Sequence, residues 1–143
     1  MYVEDIKMQT VDYYMSTSSP WAYLGSKLFT ELANSSKAKV NVYPVNFGQI
    51  FSVSGGLPLP KRAPQRQAYR LMELQRWKTK RNSPMYTEPT NFPSTNPISS
   101  LAIIAARENG NDALSLSNAV LAALWENDRN IDDKEVIKAI CME

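Results

Sequence analysis

Histidine is absent from the 143 residues, and cysteine occurs once, at Cys141. The first absence removes the commonest side-chain general base and metal ligand; the second leaves neither an internal disulfide nor a C-x-x-C pair. Ser-His-Asp and Cys-His catalysis and dithiol exchange are excluded within this chain, and no metal site is expected. No stretch approaches eighteen uninterrupted apolar residues, and the opening MYVEDIKMQT carries two acids and no apolar h-region. Neither a membrane span nor a signal peptide is therefore expected, and the default location is the cytoplasm. Net charge is also small, and +2 is too little to argue for nucleic acid by itself. What is present, 43% apolar and 21% charged residues, fits one soluble globular domain.

Gln9 to Met15 mixes β-branched and aromatic residues with partial alternation and reads as a strand. Ser19-Pro20 then reads as a helix start, with serine as cap and proline at the first helical position. That helix is predicted over Pro20 to about Asn34. Its stripe of Trp21, Leu24, Leu28 and Leu32, widened by Phe29, is expected to cover a sheet. Lys39 to Val45 alternates again and is a second strand. A βαβ unit results, with parallel strands and a right-handed crossover. The helix start falls past the carboxyl end of the first strand, where ligands of open α/β sheets bind.

Asn46 to Pro60, with Gly48, Gly55-Gly56, Pro58 and Pro60, reads as a loop. Beyond it the pattern is helical. One helix is predicted over Pro64 to Lys80, where Tyr69 and Trp77 fall at core spacing. A second is capped by Asn96, has Pro97 in its first turn and is stopped by Gly110. A third spans Asp112 to Glu126, capped by Asn111, with Leu114, Leu121, Leu124 and Trp125 as its apolar set. The last carries Val136, Ile137 and Ile140 behind a capping arrangement of Asp132 and Glu135. A two-stranded parallel sheet is rarely stable alone, so the chain is expected to stop short of a full sheet.

The strongest chemical signal is Ser18-Ser19-Pro20-Trp21-Ala22 at the strand-to-helix junction. A helix start offers unpaired N–H groups and partial positive charge, which favour an anion or thiolate. With no base at hand Ser19 is a poor nucleophile, and its sensible role is to donate a hydrogen bond to another group's anion. A plain N-cap accounts for the same serine. Lys61 to Arg81 holds eight basic residues and one acid, Glu73, with Arg62, Arg66 and Arg70 four apart. Such a run is either a solvated face or a place where carboxylates bind. A non-catalytic helical module contacting RNA through this stripe is a reading of a different class.

The run VDYYMSTSSPWAYLG resembles the opening of the 2-hydroxychromene-2-carboxylate isomerases and the kappa-class glutathione transferases. Both belong to the thioredoxin-like group that also contains the disulfide oxidoreductases. SGGLPLPKR at Ser54 to Arg62, YRLMELQRW at Tyr69 to Trp77, and ALWENDRNID around Trp125 are similar to the isomerase branch. Ser19 and Ala22 stand where the two cysteines of C-P-x-C would be.

The resemblance implies an α/β fold. A thioredoxin-like βαβ part fills residues 1–54 and a large inserted helical domain residues 55–143, with the family's C-terminal β-hairpin and final helix missing. It implies glutathione as cofactor, held by Ser19, Pro20, Trp21, Gly55 and Gly56, with Ser19 as the catalytic residue that activates the thiol. Relatives often carry Gly-Asn where this chain has Gly55-Gly56. It implies interconversion of 2-hydroxychromene-2-carboxylate and trans-o-hydroxybenzylidenepyruvate by reversible thiolate addition, with a kappa-type transferase or peroxidase as the neighbouring alternative. The substrate is then an aromatic carboxylate, for which Lys61 and Arg62 are the expected partners; Tyr86, in a loop, is a further pocket-lining candidate. A homodimer is implied as well, and neither nucleic acid nor membrane is an expected partner.

Overall fold

The computed structural model describes residues 8–95 and 97–143. The reading of residues 1–7 and the capping role expected of Asn96 lie outside them. The predicted βαβ unit is present as β1 (Thr10–Met15), α1 (Pro20–Ser35) and β2 (Lys39–Pro44). β1 pairs with β2 in parallel, from Thr10 opposite Lys39 to Met15 opposite Pro44. Alternation sends Val11, Tyr13, Met15, Val40 and Val42 to one face, where Met15 and Val42 enter the core. The other face carries Asp12 and Asn41, joined by a side-chain hydrogen bond, and the stacked rings of Tyr14 and Tyr43.

The apolar stripe expected on α1 is corrected. Leu24 is buried, but Trp21, Leu28 and Leu32 are exposed, and Tyr23, Ser26 and Ala33 are buried instead. The cause is that α1 packs against a helix as well as the sheet. Tyr23 and Thr30 turn toward α5 (Ala113–Trp125), where Asn118 Nδ2 donates to Thr30 Oγ1 and the Tyr23 hydroxyl donates to Glu126. Phe29 meets the sheet through the Tyr13 ring, 4.6 Å away between centroids.

The expected loop from Asn46 to Pro60 is partly helical. α2 (Phe47–Ser54) is capped by the Asn46 side chain and closed by Gly55, whose φ of 74° suits a helix C-terminus. A 3₁₀ turn (Leu59–Lys61) leads into α3 (Pro64–Lys80), which has the predicted bounds. Trp77 packs on the core, but Tyr69 points to solvent, against its expected core role.

α4 (Ile98–Glu108) and α6 (Lys134–Met142) complete the order. Two caps shift by one residue. Asp112 caps α5 by accepting from the Ser115 N–H, and Asp133 caps α6 by accepting from the Glu135 N–H. Asp132 is engaged elsewhere, accepting from the Ser94 hydroxyl and the Thr95 N–H in the loop before α4. The core sits among α4, α5 and α6, with Ile103, Leu121, Leu124, Trp125 and Ile131 fully buried. α4 also closes the outer edge of β2. There Arg107 Nη1 donates to the Val42 carbonyl at 2.8 Å, and its guanidinium lies 4.4 Å from the Tyr43 ring centre. No strand pairs with the outer edge of β1 among the described residues. No helix among them is long and apolar enough to cross a membrane.

Candidate functional site

Between β1 and α1 the chain makes a tight turn, in which the Ser19 N–H donates to the Ser16 carbonyl at 3.1 Å. Ser19 keeps an extended backbone (φ −77°, ψ 120°) while Pro20 starts α1. Its Oγ accepts from the Ala22 N–H at 3.2 Å, and its carbonyl accepts from the Tyr23 N–H. Ser19 is thus an N-cap, as its residue type favours. That role uses the oxygen's lone pair and leaves the hydroxyl proton without an acceptor among the described residues. Pro20 has no N–H, so the Trp21 N–H is the first-turn donor without a protein partner there.

Both donors border a groove of about 380 Å³ lined by ten residues, Tyr13 to Ser16, Ser19, Trp21, Ala22, Gly25, Phe29 and Phe47 among them. Five are aromatic and none is charged, so the groove is polar at the Ser16–Ser19 end and offers flat apolar walls elsewhere. Trp21, Gly25 and Phe29 are four apart on α1 and share one face. The Phe47 side chain enters from the start of α2. A sulfur anion fits the Ser19 end, where a hydroxyl and a backbone N–H are available beside a 16-residue helix start. The carboxylates of a larger thiol compound find no cation in the lining.

The expected site residues separate in space. Ser19 and Trp21 line the groove, and Pro20 between them is buried at the first position of α1, outside the lining. Gly55, Gly56, Lys61, Arg62 and Tyr86 are outside the lining. Gly55 closes α2 with a left-handed backbone, and a Cβ on Gly56 would come 2.5 Å from the Phe51 ring, so backbone conformation accounts for the first glycine and packing for the second. Arg62 Nε donates to the Leu57 carbonyl at 2.8 Å, while Lys61 is exposed. The Tyr86 side chain is exposed, and its N–H holds the Trp125 carbonyl.

The basic stripe is largely engaged within the chain. Arg70 stacks over Phe92, Lys80 and Arg81 lie over Trp77, and Arg76 pairs with Glu73. Arg62 precedes α3 yet stays near Arg70, whose pKa is lowered by burial and then by the Arg62 charge. Sequence reasoning did not reach Tyr13, Tyr14, Phe29 and Phe47 as groove residues. They come from three separate elements, and the alternation of β1 was the only signal that both faces of that strand carry tyrosine.

A family model described as a DSBA-like thioredoxin domain matches residues 10–143. Among solved structures, a selenomethionine 2-hydroxychromene-2-carboxylate isomerase is similar, with a TM-score of 0.72 and 18% sequence identity. The similarity covers 94% of this chain and 72% of that one. Among curated proteins none matches significantly. The shared architecture agrees with the thioredoxin-like βαβ unit and helical insertion described above.

Proposed function

We propose, from the premise that this chain belongs to the DSBA-like thioredoxin domain family, that it is a glutathione-dependent cis-trans isomerase acting on an aromatic carboxylate. The interconversion of 2-hydroxychromene-2-carboxylate and trans-o-hydroxybenzylidenepyruvate is the reaction we assign. The observation that carries the reading is Ser19, where the unused hydroxyl proton meets a helix start at the end of an aromatic groove. Serine there replaces the cysteine that disulfide exchange requires, and Cys141 is far along the chain in α6.

When bound, glutathione would supply a thiolate that adds reversibly to a conjugated double bond and so permits rotation about it. The chain's own part is to stabilise that sulfur as an anion. Ser19 Oγ–H and the Trp21 N–H would donate to it, and the α1 dipole favours negative charge at the same place. The rings of Tyr13, Trp21, Phe29 and Phe47 would exclude water from the reacting end, which strengthens those donors. Lys61 and Arg62 belong to the proposal as carboxylate partners only for a substrate that reaches past the groove lining. A cytoplasmic setting, where glutathione is held as the thiol, suits this chemistry.

The test is a glutathione titration followed by tryptophan fluorescence, because Trp21 borders the groove whereas Trp125 is fully buried. Saturable quenching, lost in Ser19→Ala, is the expected result. Equal binding by both proteins would sink the assignment of Ser19. With the chromene substrate, Ser19→Ala is expected to lose on the order of 10²-fold in glutathione-dependent rate, the usual effect of removing one donor to a developing anion.

A further inference from the structure

We infer that Thr17 and Ser99 form a positioning pair, through which the helical region holds the turn that presents Ser19. Thr17 is 6% exposed and Ser99 0% exposed. Ser99 Oγ donates to Thr17 Oγ1 at 2.9 Å across 82 positions of sequence. A buried hydroxyl costs free energy unless it is paired, so the two residues specify each other. Thr17 is a central residue of the turn closed by the Ser19 N–H and the Ser16 carbonyl, while Ser99 lies in the first turn of α4.

The geometry explains why one residue of a polar Ser-Thr-Ser-Ser run is drawn inward. Ser16 and Ser18 bond locally to one another, and the Ser19 side chain bonds only within α1 among the described residues. The orientation of Ser19 therefore depends on what fixes its neighbours. Thr17 is tied to α4 on one side of it. Tyr23 is tied on the other, through its hydroxyl to Ser83 at 3.0 Å and Glu126 at 2.8 Å. The segment carrying Ser19 is thus held at both ends by residues far away in sequence. A loosened turn would misplace the Ser19 hydroxyl while leaving the fold intact.

The inference rests on Ser19 as the thiol-activating residue, and the test separates the two. Thr17→Val keeps the shape and removes the acceptor; Thr17→Ser keeps the hydroxyl and removes the methyl. Two readouts are compared, namely glutathione binding by tryptophan quenching and hydrogen exchange of the Ala22 amide in the free protein. Thr17→Val is expected to weaken binding about three- to tenfold, the size of one hydrogen bond, and to speed Ala22 exchange. Thr17→Ser is expected to stay close to the parent in both. Parent-like binding and exchange in Thr17→Val would overturn the inference. If the parent itself does not bind glutathione, the thiol reading fails, and Ala22 exchange alone decides whether the pair positions the turn. Should Thr17→Val not fold, Ser99→Ala removes the donor from the opposite side under the same two readouts.

Discussion

The junction of α4, α5 and α6 and the groove side of the βαβ unit treat their apolar residues in opposite ways. Where α4, α5 and α6 meet, the inward-facing side chains are sealed, with Ile103, Leu121, Leu124 and Trp125 at 0% exposure and Phe92 packed on Trp125 at 5.2 Å between ring centres. Around β1, α1 and β2 one side joins that core through Met15, Tyr23, Leu24 and Val42, while the other stays in contact with solvent, at 64% for Tyr14, 45% for Trp21 and 55% for Leu32. Scattered exposed apolar residues need no explanation, but a contiguous set around a polar group marks a binding surface. The sealed helical junction thus holds much of the stability, and the open groove holds the candidate chemistry. The bonds from Thr17 and Tyr23 carry rigidity across.

Side-chain truncation is expected to cost far more at the sealed junction than on the open side of α1. Leu124→Ala is expected to lower the unfolding free energy by about 2–5 kcal/mol, since the side chain is fully buried and its cavity cannot fill with water favourably. Leu32→Ala, on the open side of α1, is expected to change it by no more than about 0.5 kcal/mol. Urea unfolding of the two variants measures both. Equal losses would mean that the open face is packed in solution and that the contrast is false.

The same contrast explains what could be read from the sequence. β1, α1, β2 and α3 were legible because their periodicity and their Ser-Pro and Pro starts are local signals. α2 was not, because Gly48, Gly55 and Gly56 looked like loop punctuation. Asn46 and Gly55 are in fact its start and stop signals. The buried side of α1 was misjudged because period alone does not say which partner a helix meets. Tyr23 and Ala33 are buried where Leu28 and Leu32 had been expected. The cap of α6 moved to Asp133 because Asp132 is used by a loop 37 positions away. Ser19 was legible as a helix start, whereas the groove and the Thr17–Ser99 pair depend on tertiary placement.

The bond between the two regions at Tyr23 gives a smaller effect with a pH signature. Burial, and then the Glu126 carboxylate, raise its phenol to about 12, against the lowering effect of the Ser83 hydroxyl. The neutral phenol is the form that folding favours. Its contribution is fully present below the ordinary value near 10 and is lost as pH rises from there through about 12. Tyr23→Phe is expected to cost about 1 kcal/mol at neutral pH and to flatten stability between pH 10 and 12 relative to the parent. Denaturant melts at those pH values check it. A parent-like alkaline slope in Tyr23→Phe would assign the loss to other groups.

The smallest expected change has the opposite sign. Gly25 sits in the interior of α1 with ordinary helical backbone, and a Cβ added to it meets nothing within 4 Å. Neither strain nor packing asks for glycine there, yet glycine inside a helix costs about 0.5–1 kcal/mol relative to alanine. Gly25→Ala is therefore expected to stabilise the protein by that amount in a thermal or urea melt. What the glycine provides is room, because it lines the groove between Trp21 and Phe29. Gly25→Leu extends the test, since its side chain would occupy that space and is expected to weaken glutathione quenching of Trp21 fluorescence without unfolding α1. A Leu variant that binds as the parent does would place the ligand elsewhere. A stabilised variant that no longer binds would show that the open side of the molecule gives up stability to keep its groove.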